Sequence, residues 1–430
     1  MSRRLIATGA ILLAALPGAA LEARGASPSP APAVAATASP QAVQSLLDSY
    51  VASGKVPGIV VAIGWGDAAP VFIHAGKISD DTGAPDTGPD SLWRIYSMTK
   101  PITAIAAMML VEHGKIGLDQ PVSDFIPAFK AVRVLDAPET SLASHPAGRP
   151  VTVRHLLTHS GGLAYQFLVS GPVRKEYERL GLLGGRADAV ASKAQPATLA
   201  EFADRVASVP LLAEPGTRWN YSVGVDVLGR VIEVASGEPF DSFVQTRVLK
   251  PLGMTSTYWT VPQSETARLS TAYAWAGERR VPVDAGATTD WLHPPRLPYG
   301  GSGLVSSARD YDRLLRMLAG HGSLGKVHLL RPETVRLALS NLLPEGVHVV
   351  ANGTPDTALA EGFGAGGWVY LADVPHGVRA GTYGWFGAAG TIAFLDPAKG
   401  LRVTVMTNYF PANKWPLYGD VVKSLYSSQK

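Results

Sequence analysis

The sequence predicts an α/β protein: one antiparallel sheet built from both chain ends, flanked by helices, with a mostly helical lobe inserted between its halves. Three observations predict it. A helix and a strand hairpin follow one another near the N-terminus, four strand patterns and a closing helix stand near the C-terminus, and helices with Gly/Pro-punctuated loops fill roughly 119–298.

Met1–Arg4 is a short positive segment and Leu5–Ala20 an apolar one, too short for the ~20 residues that span a bilayer and interrupted by Pro17. Gly18, Ala19 and Ala20 supply small residues for cleavage. The reading is a cleaved signal peptide over 1–20, an Ala/Pro/Ser-rich linker over 21–40 and one large domain over 41–430. A periplasmic or secreted protein without a stable membrane anchor is therefore expected. Val43, Leu46, Leu47, Tyr50 and Val51 recur at helical spacing until Gly54, and Ile59–Ile63 and Val71–Ala75 read as a hairpin around a turn at Gly64–Pro70. The C-terminal strands read as Trp368–Leu371, Thr382–Trp385, Thr391–Leu395 and Arg402–Thr407, before a helix carrying Leu417, Val421, Val422 and Leu425. The two sheet portions place one lobe at about 41–118 plus 299–430, and the helical lobe at about 119–298.

Composition narrows the function. Only 17% of the 430 residues are charged, and the balance is 38 − 35 = +3, with Arg3 and Arg4 inside the targeting segment. No basic stripe remains for a phosphate backbone, so nucleic acid is not an expected partner. The absence of cysteine excludes disulfides, Cys-ligated metals and a Cys nucleophile.

Three serines stand three residues before a lysine: Ser97, Ser323 and Ser427. Context separates them. Ser323 lies in a glycine-rich loop and Ser427 in the terminal tail, whereas Ser97-Met98-Thr99-Lys100 opens a helix with Ile102, Ile105, Ala106 and Met109 on one face. Pro101 would clash with the carbonyl four residues earlier, so the helix cannot extend far upstream and Ser97 sits at its mouth. Unpaired N–H groups and the positive end of the dipole surround the hydroxyl there. Lys100 shares its face and can take the Oγ proton if burial lowers its own pKa. A plain N-cap is the commoner fate of such a serine.

Other motifs carry less. Gly362-Phe-Gly-Ala-Gly-Gly367 matches a dinucleotide fingerprint but is followed by a strand pattern. His155 and His159 have metal-ligand spacing without the glutamate of a zinc helix and read as structural; no metal or organic cofactor is expected. No G-x-S-x-G elbow occurs. Ser307 with Asp310 reads as a capping box.

The segments Ser97–Lys100, His155-Leu-Leu-Thr-His-Ser-Gly-Gly-Leu163, Glu214-Pro-Gly-Thr-Arg-Trp-Asn-Tyr-Ser222, Pro251-Leu-Gly-Met254, Gly300-Gly-Ser-Gly-Leu-Val-Ser306 and Gly384-Trp-Phe-Gly-Ala-Ala-Gly-Thr391 occur in this order. In them the chain resembles the serine β-lactamase/penicillin-binding-protein fold, and within it the class C β-lactamase-like esterases (family VIII carboxylesterases). The resemblance implies Ser97 as nucleophile, Lys100 as its partner and Tyr221 as the proton-shuttling phenol. It implies an oxyanion hole from the N–H groups of Ser97 and Ala388, and places Ser222, Val223 and the edge strand Trp385-Phe386-Gly387 beside the substrate. An ordinary tyrosine, with a pKa of about 10, is a poor base at neutral pH, so Tyr221 needs the Lys100 cation close by.

Departures from the family pattern are informative. Penicillin-handling relatives carry Tyr-x-Asn, yet none of the 14 tyrosines here has an asparagine two residues on; the triplet is Tyr221-Ser222-Val223. Lys-Thr-Gly and His-Thr-Gly are both absent, and Trp385 takes that place, followed by Phe386 where glycine is common. The resemblance with these losses implies a hydrolase of neutral, short-chain or aryl esters acting on a small-molecule substrate with no obligate protein partner. The alternatives are a β-lactamase or D-alanyl peptidase, and a non-catalytic peptidoglycan- or ligand-binding relative.

Overall fold

The computed structural model describes residues 40–185, 194–349, 361–374 and 377–426. The signal-peptide and linker assignments up to residue 39, and Ser427, lie outside the described residues. Helix α1 (Pro40–Ala52) buries Val43, Leu47 and Tyr50 at helical spacing. Strands β1 (Gly58–Trp65) and β2 (Val71–Gly76) form the first hairpin, with Ile59 opposite Ala75. Helices α2 (Thr99–Glu112), α3 (Gly224–Ser236) and α4 (Ala308–Ala319) follow. The chain ends with β3 (Glu361–Phe363), β4 (Trp368–Tyr370), β5 (Tyr383–Phe386), β6 (Ile392–Asp396), β7 (Leu401–Met406) and helix α5 (Leu417–Tyr426).

These strands make one antiparallel sheet in the order β3-β4-β5-β6-β7-β1-β2. The β7–β1 ladder, with Val60 opposite Met406, is where the two chain ends meet. The two-residue period of the strands divides their side chains between two cores. Ile59, Val61, Ile63, Val403 and Val405 face α1 and α5, while Val60, Ala62 and Met406 join the core shared with α2 and α3. Arg402 of β7 lies on this second side, fully buried, and its Nε meets Oδ1 of Asp312 on α4 at 3.0 Å.

The expected α/β arrangement, an antiparallel sheet from both chain ends flanked by helices, is therefore the observed one. Several details differ from the sequence reading. β1 runs through Gly64, where the sequence reading places the start of a turn; a Cβ there would collide with the guanidinium of Arg402. β3 had not been anticipated: its three residues include a glycine and carry too short a pattern. The stretch read as helices and loops holds a hairpin, Ala272–Ala276 with Arg279–Asp284, joined in parallel by Tyr409–Phe410. Its second strand is half-exposed along most of its length and lacks a clear alternation. At α4, Ser307 accepts the Asp310 N–H, but the Asp310 carboxylate turns to the Ser256 N–H and the Thr257 hydroxyl, so the cap is not reciprocal. Helix α2 is buried on nearly every side rather than on one face, as befits a helix enclosed in the core it shares with α3.

Candidate active site

Ser97 lies in a 3-10 turn, Tyr96–Met98, which runs directly into α2. Pro101 falls in the first turn of α2, where a missing N–H breaks no helical hydrogen bond. The preceding residue, Tyr96, has φ of 40°, a left-handed conformation that is unfavourable for a non-glycine residue and marks a chain forced into shape by its surroundings. Its ring is set edge-on against Trp291 and Phe410. The Ser97 side chain caps no helix.

Two side chains converge on Ser97 Oγ. The Tyr221 hydroxyl donates to it at 2.7 Å, and Lys100 Nζ at 3.2 Å. Lys100 is fully buried, donates also to the Gly301 carbonyl at 2.8 Å, and sits 4.6 Å from the centre of the Tyr221 ring. Tyr221 reaches this point because residues 220–223 are fastened to the 159–164 segment: the Asn220 N–H donates to His159 O at 2.8 Å and the Val223 N–H to Ala164 O at 3.2 Å. Helix α3 then begins, and Gly237 ends it in the left-handed region.

Several supporting residues were not singled out from the sequence. Asp226, buried on the first turn of α3, accepts the Gly301 N–H at 2.8 Å through Oδ1. Burial pushes its carboxyl up to about 6, and the nearby Lys100 opposes the shift. Tyr165 is buried beside it, and burial together with the Asp226 charge holds its phenol well above the ordinary value. A methyl group on Gly301 would stand 2.8 Å from both the Tyr165 hydroxyl and Asp226 Oδ2, so only glycine fits. The signal available in the sequence was an aspartate within the apolar run Val225-Asp226-Val227-Leu228. His159 is fully buried with φ of 57°, and its ring packs 4.7 Å from Tyr221. Burial, then Lys100, holds it well below its usual pKa, so it is neutral; Nδ1 accepts the Ser222 N–H at 3.3 Å. His155 is likewise pushed down by burial, to about 4, and closes a capping box with Thr152. Among the described residues no group of His, Asp and Glu side chains could hold a metal ion.

A cavity of about 560 Å³ opens at Ser97, with Ala388 on its border. Its aromatic wall is made by Tyr96, Tyr165, Phe167, Trp291 and Phe410. Trp385 and Phe386 of the third motif do not line this cavity. Trp385 packs against Tyr221 and Phe363, and the half-exposed Phe386 against Trp368 and Tyr418. Their strand β5 is not the sheet edge, since β3 and β4 lie outside it, but β4 pairs only with Tyr383 and Gly384, so among the described residues no strand pairs with Trp385 and Phe386 on that side. Gly387 is required by the chain itself, for a Cβ there would stand 2.5 Å from the Ile95 carbonyl and nearer to Thr391. Ser222 and Val223 also stay outside the cavity. Ser222 Oγ meets His159 Nδ1 at 3.2 Å, and Val223 belongs to the core. Ser323 lies in a surface hairpin with its hydroxyl on His328.

A serine hydroxyl met by a lysine and a tyrosine, at the junction of an antiparallel sheet and a buried helix, defines a serine-dependent enzyme of the β-lactamase/penicillin-binding class. The chain belongs to the Beta-lactamase family, whose model matches residues 43–420. It is 35% identical to Protein Rv1367c of Mycobacterium tuberculosis over 77% of this chain and 80% of the other. It is 33% identical to Esterase EstB of Burkholderia gladioli, over 79% and 82%. Among solved structures, EstCE1, described as a hydrolase with promiscuous acyltransferase activity, superposes with a TM-score of 0.74 at 26% identity, over 90% of this chain and 98% of that one.

Proposed function

We propose that the protein is a serine carboxylic-ester hydrolase working through an acyl-enzyme on Ser97. The observation that carries this reading is the convergence of the Tyr221 hydroxyl and Lys100 Nζ on one serine oxygen. For attack the hydroxyl turns so that Oγ gives its proton to the Lys100–Tyr221 pair while forming a bond to the ester carbonyl carbon. The carbonyl electron pair moves onto oxygen, which the N–H groups of Ser97 and Ala388 receive. Collapse breaks the bond to the alcohol oxygen, and that oxygen takes the proton. Water then adds to the acyl carbon, passes a proton to the same pair, and the carbon–Oγ bond breaks as Oγ is reprotonated and the acid leaves. An alcohol in place of water would give acyl transfer from the same intermediate.

The reading extends to neutral esters as substrates, with short aryl esters turned over, and to export by a cleaved N-terminal signal. What supports the ester preference is the missing third-motif cation and the valine at position 223. Stoichiometric labelling by a fluorophosphonate probe tests the nucleophile. Wild type should label and hydrolyse an aryl acetate, and Ser97→Ala should do neither. A wild type that neither labels nor hydrolyses would leave a non-catalytic ligand-binding protein.

A further inference from the structure

Two of the large apolar side chains left open to solvent stand on the cavity that holds Ser97: Phe167, 50% exposed, and Val283, 54% exposed. They come from distant parts of the chain, the turn Gln166–Leu168 and the strand Arg279–Asp284. Phe167 is held in place, its ring stacked on Tyr165 at 4.9 Å and 20°. Gly184 leaves room for that stack, since a Cβ there would stand 2.7 Å from each ring. The strand bearing Val283 is anchored by the next residue, Asp284, which pairs at 2.6 Å with the buried Arg94. Two fixed apolar groups half in water at the mouth of an aromatic cavity are surface that a bound apolar group would cover, with a gain in free energy.

Which part of the ester lies there follows from the border of the cavity. Ser97 and Ala388 line it and Tyr221 does not. On the hydrolase reading, on which this inference rests, Tyr221 serves the departing alcohol, so the cavity lies on the side of the group that stays on Ser97. We propose that Phe167 and Val283 are specificity-determining residues that grip the acyl part of the substrate, and that the preferred acids are bulky and apolar, aryl-substituted or cyclic. A volume of about 560 Å³ is in the range that holds drug-sized groups, and an acetyl group would leave most of it to water.

The test compares kcat/KM for the p-nitrophenyl esters of acetic and 4-phenylbutyric acids, which share a leaving group. Wild type should favour the phenylbutyrate by on the order of tenfold or more, and Phe167→Ala and Val283→Ser should each reduce that ratio, Phe167→Ala by on the order of tenfold. Both side chains are half in solvent, so neither truncation opens a hole in the core. A parallel pair, the acetates of phenol and 4-(3-phenylpropyl)phenol, varies only the alcohol. An acetate preference in wild type, an acyl ratio unmoved by both variants, or a response confined to the alcohol pair would each overturn the assignment. Absence of turnover with every ester would instead remove the hydrolase reading, and this inference with it.

Discussion

The Gly301 N–H donates to Oδ1 of Asp226 at 2.8 Å, across 75 residues of sequence. The carbonyl of the same glycine receives Lys100 Nζ, also at 2.8 Å. One peptide segment thus ties a buried carboxylate on α3 to the lysine beside the nucleophile, and the carboxylate acts on Lys100 both through this link and through its charge.

That relationship predicts a pH dependence. Burial raises Asp226 from 3.8 to about 6, so its charge is lost as the pH falls through about 6. We expect kcat/KM to drop over that interval in wild type, and Asp226→Asn to lack the inflection and lie low throughout. The stability consequence has a definite sign. An acid whose folded pKa exceeds its unfolded one contributes less to stability as pH rises between the two values. The unfolding free energy of wild type relative to Asp226→Asn should therefore fall, by roughly 1–3 kcal/mol, between pH 4 and 6. Chemical denaturation at both pH values, beside pH–rate profiles, checks this; a difference that stays flat or rises would remove Asp226 from the role.

A second prediction concerns the joint between the sheet and α4. Arg402 and Asp312 are 0% and 2% exposed, and Arg402 also donates to the carbonyls of Gly66 and Ala68. Asp312→Ala strands a buried guanidinium and should destabilise the fold by about 3–5 kcal/mol, with Arg402→Met in the same chain restoring part of the loss. Urea denaturation of the single and double variants measures it. A loss below about 1 kcal/mol for Asp312→Ala would show that water reaches Arg402 readily.

The same residues show what could be read from the sequence and what could not. The sheet was legible because strand character is a local property: the apolar, β-branched run Ile59–Ile63 and the alternating Arg402-Val403-Thr404-Val405 carry it whatever lies between them. The placement of Ser97 at a helix mouth was legible because Pro101 constrains the backbone four residues away. Gly64 was misread as a turn residue because the guanidinium that demands it belongs to Arg402, far along the chain. Asp226, Gly301 and Tyr165 form one cluster through tertiary contacts that no spacing encodes. The aromatic wall of Tyr96, Tyr165, Phe167, Trp291 and Phe410 was not legible, because a motif fixes the strand but not which side of Ser97 is hollow.

The last prediction separates ester from β-lactam. A β-lactam presents a carboxylate and a side-chain amide that must be held while its ring opens. Val223 is buried in the core and offers no side-chain donor, and Trp385, turned against Tyr221 and Phe363, carries no charge. Trp385 Nε1 is buried without a hydrogen-bond partner among the described residues, so it offers a substrate carboxylate no charged donor. Losing one charge-assisted hydrogen bond costs about 1.5–3 kcal/mol, or roughly ten- to a hundredfold in rate when it is made in the transition state. A neutral ester loses neither contact. We therefore expect kcat/KM for p-nitrophenyl butyrate to exceed that for a chromogenic cephalosporin by at least about a hundredfold. Trp385→Ala should lower ester turnover, because the Tyr221 ring loses the indole at 5.6 Å that holds it toward Ser97. A cephalosporin constant equal to or above that of the ester would place the protein with the β-lactam hydrolases instead.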